Sequence, residues 1–177
     1  MIKDSGERTE FVSGSVRDMK IGKGKCDLLP LGEVYELLEF YDYVGSDSKA
    51  SPLRFIAYYI ESAKEHPFGI GDNRCIYEAL YRFAYEIGWD IPTMILEVSI
   101  HFEEGASKYK RNNWRAGIPA SSYLDSGIRH YLKWKRGDKD ENHDRAFVWN
   151  MLCMLWTVNH RPEFNDILTI EEVSDED

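Results

Sequence analysis

Ile91, Ile95, Val98 and Phe102 recur at i, i+4, i+7 and i+11, the spacing that lines one face of a 3.6-residue helix. Asp90 and Pro92 mark the start of that helix, one as a side-chain cap and the other as a first-turn proline. It is expected to run to about Tyr109. Similar signals divide the rest of the chain. "GEVYELLEFY" forms a short first helix, and "PLRFIAYYIESAKEH" opens a second on Pro52. Asp72 caps "NRCIYEALYRFAYEIG", which closes on Gly88. "ASSYLDSGIRHYLKWKRG" ends at Gly137 with its cations toward the C-terminus, as the helix dipole favours. "DENHDRAFVWNMLCMLWTVNH" reads as a long apolar helix from Asp140 with acids in its first turns.

No segment alternates apolar and polar residues between hairpin turns, and no internal repeat is present. The expected architecture is all-α, a bundle of about six helices preceded by an extended leader. Residues 1–30 form that basic, glycine-rich leader, 31–160 a single all-α domain, and 161–177 an acidic, unstructured tail.

Composition narrows the partners. The 177 residues carry a formal net charge of −9, which argues against nucleic acid, since phosphate contacts need a basic face. A nucleotide needs only a local cluster of cations or a metal. Cys26, Cys75 and Cys153 are odd in number and far apart, giving neither a disulfide framework nor a paired metal motif. With a polar N-terminus this predicts a reducing, cytoplasmic setting. No apolar run approaches the roughly 18–20 residues of a membrane span.

At 100° per residue, Glu97, His101, Glu104 and Lys108 share a row beside the apolar stripe, and Glu103 points away from it. In the last helix His143, Phe147, Asn150 and Met154 share a face, with Asp140 one turn earlier. Asp125 and Arg129 form an i, i+4 pair next to His130. Each has an ordinary reading as an ion pair, a dipole complement or a satisfied core group. Asn150 presses harder, because an unsatisfied buried amide costs roughly 1–3 kcal/mol. Helices that gather Glu, Asp and His can seat hard divalent cations, which bridge phosphate oxygens. Lys108, Lys110, Arg111 and Arg115 follow directly and can offset a polyphosphate. Trp114 is a candidate to stack on a base.

The segments "GSVRDMKIGKGKCDLLP", "FEEGASKYKRNNWRAGIP", "YLDSGIRHYLKWKRG" and "DENHDRAFVWNMLCML" resemble, in order and spacing, a phage and prophage family of dATP/dGTP diphosphohydrolases related to the MazG-like all-α pyrophosphatases. The likeness spans about residues 5–30 and 90–165, with no shared motif over 39–88. It implies metal-dependent hydrolysis of a purine deoxynucleoside triphosphate (dGTP or dATP) to monophosphate and pyrophosphate, in phage nucleotide-pool metabolism. It also implies a homo-oligomer, dimer or tetramer.

MazG-like enzymes carry ExxE on one helix and ExxD on another; the positions here are His101-x-x-Glu104 and Asp140-x-x-His143, with Asn150 seven residues on. The resemblance thus assigns metal and catalysis to Glu103 or Glu104, Asp140 and His143. The ion is Mg²⁺, with Mn²⁺ or Co²⁺ favoured by the two histidines. Lys108, Arg111, Asn113, Trp114, Arg115, Asp125, Arg129, His130 and Asn150 would make the substrate site, Asp125 holding Arg129. The leader cations Arg17, Lys20, Lys23 and Lys25 are candidates to close over the phosphates.

Two alternatives stand beside this reading. His130 with His143–Asp144 and a distant Asp166 would suit an HD-type phosphohydrolase. Tyr77, Tyr81 and Tyr85, at i, i+4 and i+8, would suit a non-enzymatic helical protein that binds a partner through an aromatic face.

Overall fold

The computed structural model describes residues 8–18, 22–43, 50–66 and 69–167. Six helices account for most of them: α1 (Leu31–Tyr43), α2 (Pro52–Glu65), α3 (Asn73–Ile87), α4 (Ile91–Lys108), α5 (Ala120–Arg136) and α6 (His143–His160). The all-α expectation holds, with one addition in the leader. Strands β1 (Arg8–Glu10) and β2 (Val16–Asp18) pair antiparallel, Thr9 opposite Arg17.

Helix boundaries follow local chemistry. Ser51 Oγ accepts from the Leu53 amide ahead of Pro52, Asp72 from the Arg74 amide, and Asp90 from the Thr93 amide at 2.7 Å, each satisfying an otherwise orphaned N–H. Gly88 and Gly137 close α3 and α5 in the left-handed conformation. α6 starts at His143, not Asp140. Asp140 accepts instead from His143 three residues on and from Lys133, and a short acidic side chain engaged this way favours a bend over a helical turn.

α6 is apolar nearly all round, from Phe147 to Val158, so it occupies the centre. α5, α4, α3 and α1 pack on it. Phe83 of α3 meets Phe147 edge-on at 4.5 Å. The tyrosine stripe of α3 does not form a common outer face: Tyr77 is in the core while Tyr85 is 70% exposed.

The described parts of the leader and of the segment after α6 pack against the bundle. Leu28 and Leu29 are buried, and the leader is strapped to α4 by two bonds, Gly24 N–H to Glu103 Oε2 and Lys25 N–H to Ser99 O, each 3.0 Å. Beyond α6, Asp166 accepts from the Ser121 amide at 2.8 Å and its hydroxyl at 2.6 Å, capping α5, and Ile167 is 1% exposed. The expected unstructured tail therefore does not begin at Arg161, because Ile167 has apolar area to bury; residues 168–177 lie outside the described residues. None of the described helices is long and apolar enough to cross a membrane.

Candidate active site

A cavity of about 490 Å³ opens between the C-terminal half of α4, the 3-10 turn at Asn113–Ala116, α5 and the start of α6. Its wall combines charges of both signs with aromatic surface. Lys108 and Lys110 bring ammonium groups. His101, Glu104, His130 and Glu141 supply imidazoles and carboxylates, while Phe102, Trp149 and Trp114 supply aromatic surface. Helical spacing explains the α4 contribution, since His101, Glu104 and Lys108 lie one turn apart on one face.

His101 lines the cavity with its Nδ1 buried and without a hydrogen-bond partner. Burial lowers its pKa, opposed by the nearby Glu104 and Glu141 carboxylates, which favours the neutral ring. The Glu104 carboxylate stands 3.9 Å from that nitrogen and 4.0 Å from Arg145 Nη1. Arg145 is held by Glu97, Nε to Oε2 at 2.8 Å, so Glu97 positions a cation and does not itself line the cavity.

Across the cavity three groups meet. His130 Nδ1 and His143 Nδ1 are 3.0 Å apart, and Glu141 Oε1 lies 3.4 Å from the first and 3.5 Å from the second. His143 is 2% exposed, and its Nε2 donates to Asp140 Oδ1 at 2.8 Å. Lys133 donates to the other oxygen of Asp140 at 2.8 Å; that ammonium first, and His143 next, hold the Asp140 carboxyl well below the usual range. Burial lowers the pKa of His130 against the pull of Glu141.

The expected site is thus assembled in part. Glu104, Lys108, Asn113, Trp114, His130 and Asn150 line the cavity, and His143 lies directly behind His130. Glu103 does not join them: it is buried, with its carboxylate bound to the Gly24 amide of the strap. Asp140 supports His143 from behind and is absent from the cavity wall.

The guanidinium groups expected around the phosphates lie outside that wall as well. Arg111 pairs with Asp27, and Arg129 with Asp125 on the outer face of α5. Arg115 lies over the rings of Trp114 and Trp156 at 4.8 and 5.6 Å. Each found a closer partner, which an exposed cation does when a carboxylate or indole is within reach. Trp114 is 5% exposed and packs against Phe102 and Trp156, which leaves Trp149 and the exposed Tyr109 as the more open aromatic rings of the lining. Asn150 Nδ2 donates to Ala146 O at 2.8 Å, which satisfies half of its buried amide.

Of the leader, Leu28 reaches the cavity and the described cations Arg17, Lys23 and Lys25 do not; Lys20 lies outside the described residues. Asp166, the distant aspartate an HD-type centre would need, is engaged as the cap of α5.

Glu141 is the residue that the sequence did not single out. It sits in the bend between α5 and α6, where helical periodicity assigns no face, and its neighbours Asp138, Asp140 and Asp144 offer similar carboxylates. Trp149 was hidden differently, inside an apolar run that reads as core.

A family model described as dATP/dGTP diphosphohydrolase, N-terminal, matches residues 79–167. No curated protein and no solved structure matches. The matched span takes in just over half of the 177 residues and every cavity-lining residue but Leu28; it does not extend over the leader segment 5–30. The chain belongs to the dATP/dGTP diphosphohydrolase N-terminal family.

Proposed function

We propose that this cavity hydrolyses a purine deoxynucleoside triphosphate, dATP or dGTP, to the monophosphate and pyrophosphate, with a divalent metal. The observation that carries the reading is a single cavity wall that holds Lys108 and Lys110 together with Glu104, His101, His130 and Glu141. A triphosphate with a bound cation presents the complementary charges. The donor set suits the metal, because carboxylates and imidazoles are the protein ligands of divalent ions. Glu104 would hold it there, and when bound it would polarise the phosphate oxygens as a Lewis acid.

The chain's own groups supply the rest. Lys108 and Lys110 offset phosphate charge, and Trp149 offers the base an aromatic surface. Water attacks the α-phosphorus, the bond from that phosphorus to the α,β-bridging oxygen breaks, and pyrophosphate leaves with the bond's electrons. His101, a cavity-lining imidazole that burial keeps neutral, accepts the proton of the attacking water.

A homo-oligomer is part of the same reading. Leu31, Tyr35 and Leu38 stand exposed at i, i+4 and i+7 on α1, an outward apolar stripe that a second copy would cover; light scattering after gel filtration tests it.

The activity test is direct. Each dNTP is incubated with the protein and Mg²⁺, Mn²⁺ or Co²⁺, and the products are separated by anion exchange. Deoxynucleoside monophosphate with pyrophosphate is the expected outcome. Deoxynucleoside with inorganic triphosphate would replace this reading by an HD-type hydrolysis. No turnover, together with no thermal stabilisation by nucleotide, would leave a binding protein.

A further inference from the structure

From the triangle of His130 Nδ1, His143 Nδ1 and Glu141 Oε1 we infer a transition-metal seat of two nitrogens and one oxygen in the cavity wall. The inference deepens the proposed activity by naming a second metal class for the same cavity, and it rests on that reading for its purpose.

The geometry is the first argument. The three sides measure 3.0, 3.4 and 3.5 Å. The point equidistant from the three atoms lies about 1.9 Å from each, just inside the roughly 2.0–2.2 Å at which divalent transition ions bond imidazole nitrogen and carboxylate oxygen. A small displacement from the plane gives full bond lengths, with no movement of the helices. Adjacent ligands of an octahedral or tetrahedral ion span separations of this size.

The second argument is the support behind His143. Its Nε2–H donates to Asp140, and Asp140 is itself held by Lys133. That bond fixes the proton on Nε2 and leaves Nδ1 as a lone pair directed at His130 and Glu141, the carboxylate–histidine–metal arrangement of supported sites. Burial of the His143 ring keeps the orientation. The third is access. His130 and Glu141 also line the cavity, so the remaining coordination positions are open to a phosphate oxygen or water.

Two imidazoles select against Mg²⁺, which prefers an all-oxygen shell, and for the later divalent ions. The seat therefore takes Co²⁺, Ni²⁺ or Zn²⁺ ahead of Mn²⁺, and Mn²⁺ ahead of Mg²⁺.

The test titrates Co²⁺ into the full chain after treatment with a chelator, without nucleotide, and follows visible d–d absorption. Wild type is expected to develop the band at one equivalent, and a large excess of Mg²⁺ is expected to leave it in place. His130→Ala and Glu141→Gln should lose or strongly shift the band, with circular dichroism confirming that each folds. Asp140→Asn, which weakens the support of His143 without removing a ligand, should weaken Co²⁺ about 10- to 100-fold. An unchanged band and affinity in both His130→Ala and Glu141→Gln would overturn the seat, as would displacement of Co²⁺ by Mg²⁺ at similar concentration. The two readings fail separately: a protein that binds Co²⁺ here yet hydrolyses no dNTP loses the activity alone. One that hydrolyses dNTP while the variants bind Co²⁺ normally loses the seat alone.

Discussion

His101 and Glu104 differ from most polar residues of α4 in facing the cavity without a full set of partners. Replacing either should therefore affect chemistry more than stability. His101→Gln is expected to lower kcat for dNTP hydrolysis by about 10²–10⁴, the usual worth of a positioned acid–base group, while its melting temperature stays near wild type. Parallel steady-state kinetics and thermal melts would show the contrast; unchanged kcat would remove His101 from the reaction. His143 behaves differently because its ring is buried and both nitrogens are engaged. His143→Ala should abolish turnover and also cost about 1–3 kcal/mol in urea unfolding, since it strands buried polar neighbours.

At the scale of elements, the helices depend on a few capping groups, and one of them is supplied from far away in sequence. Pro119 gives α5 no side-chain cap, and Asp166 provides it from beyond α6. Asp166→Ala should lower stability by about 1 kcal/mol, as loss of a cap does, measured by chemical denaturation. The cap of α4 yields a pH signature. The Thr93 side chain and then its amide hold the Asp90 carboxyl below its ordinary pKa, so its contribution is complete above the unfolded value of about 4 and lost as pH falls through the folded one. Asp90→Ala should accordingly melt earlier than wild type at pH 7, and the gap should close on acidification. A constant gap would show that Asp90 acts without its charge.

For the whole molecule, the leader strap is the contact that ties distant parts of the chain together. Gly24 has φ of +79°, and a Cβ there would meet Ser99 Oγ at 2.0 Å, so no side chain fits without parting the strap from α4. Gly24→Ala should release the Lys25 amide from Ser99 O and the Glu103 carboxylate from its backbone donor. Hydrogen exchange is expected to speed up at residues 24–29 while the core of α6 stays protected. Because Leu28 forms part of the cavity wall, the same variant should weaken nucleotide binding.

The sequence by itself determined the six helices, most of their ends and the apolar character of α6, because periodicity, caps and glycine stops act within a few residues. It also put His101, Glu104 and Lys108 on one face, which is a matter of helical angle alone. What it left open was every pairing between elements. Helical angle turned Glu103 away from the row of Glu104, but only the docking of Gly24 on α4 gave the Glu103 carboxylate its partner in the strap. Arg111 and Arg115 are equally basic on paper, and Asp27 and two indole rings took them, whereas the Asp125–Arg129 pair, one turn apart on α5, was legible from spacing. Glu141 gained its role from the bend that brings His130 of α5 against His143 of α6. Contacts of that kind depend on how helices pack in three dimensions, and no local pattern encodes them.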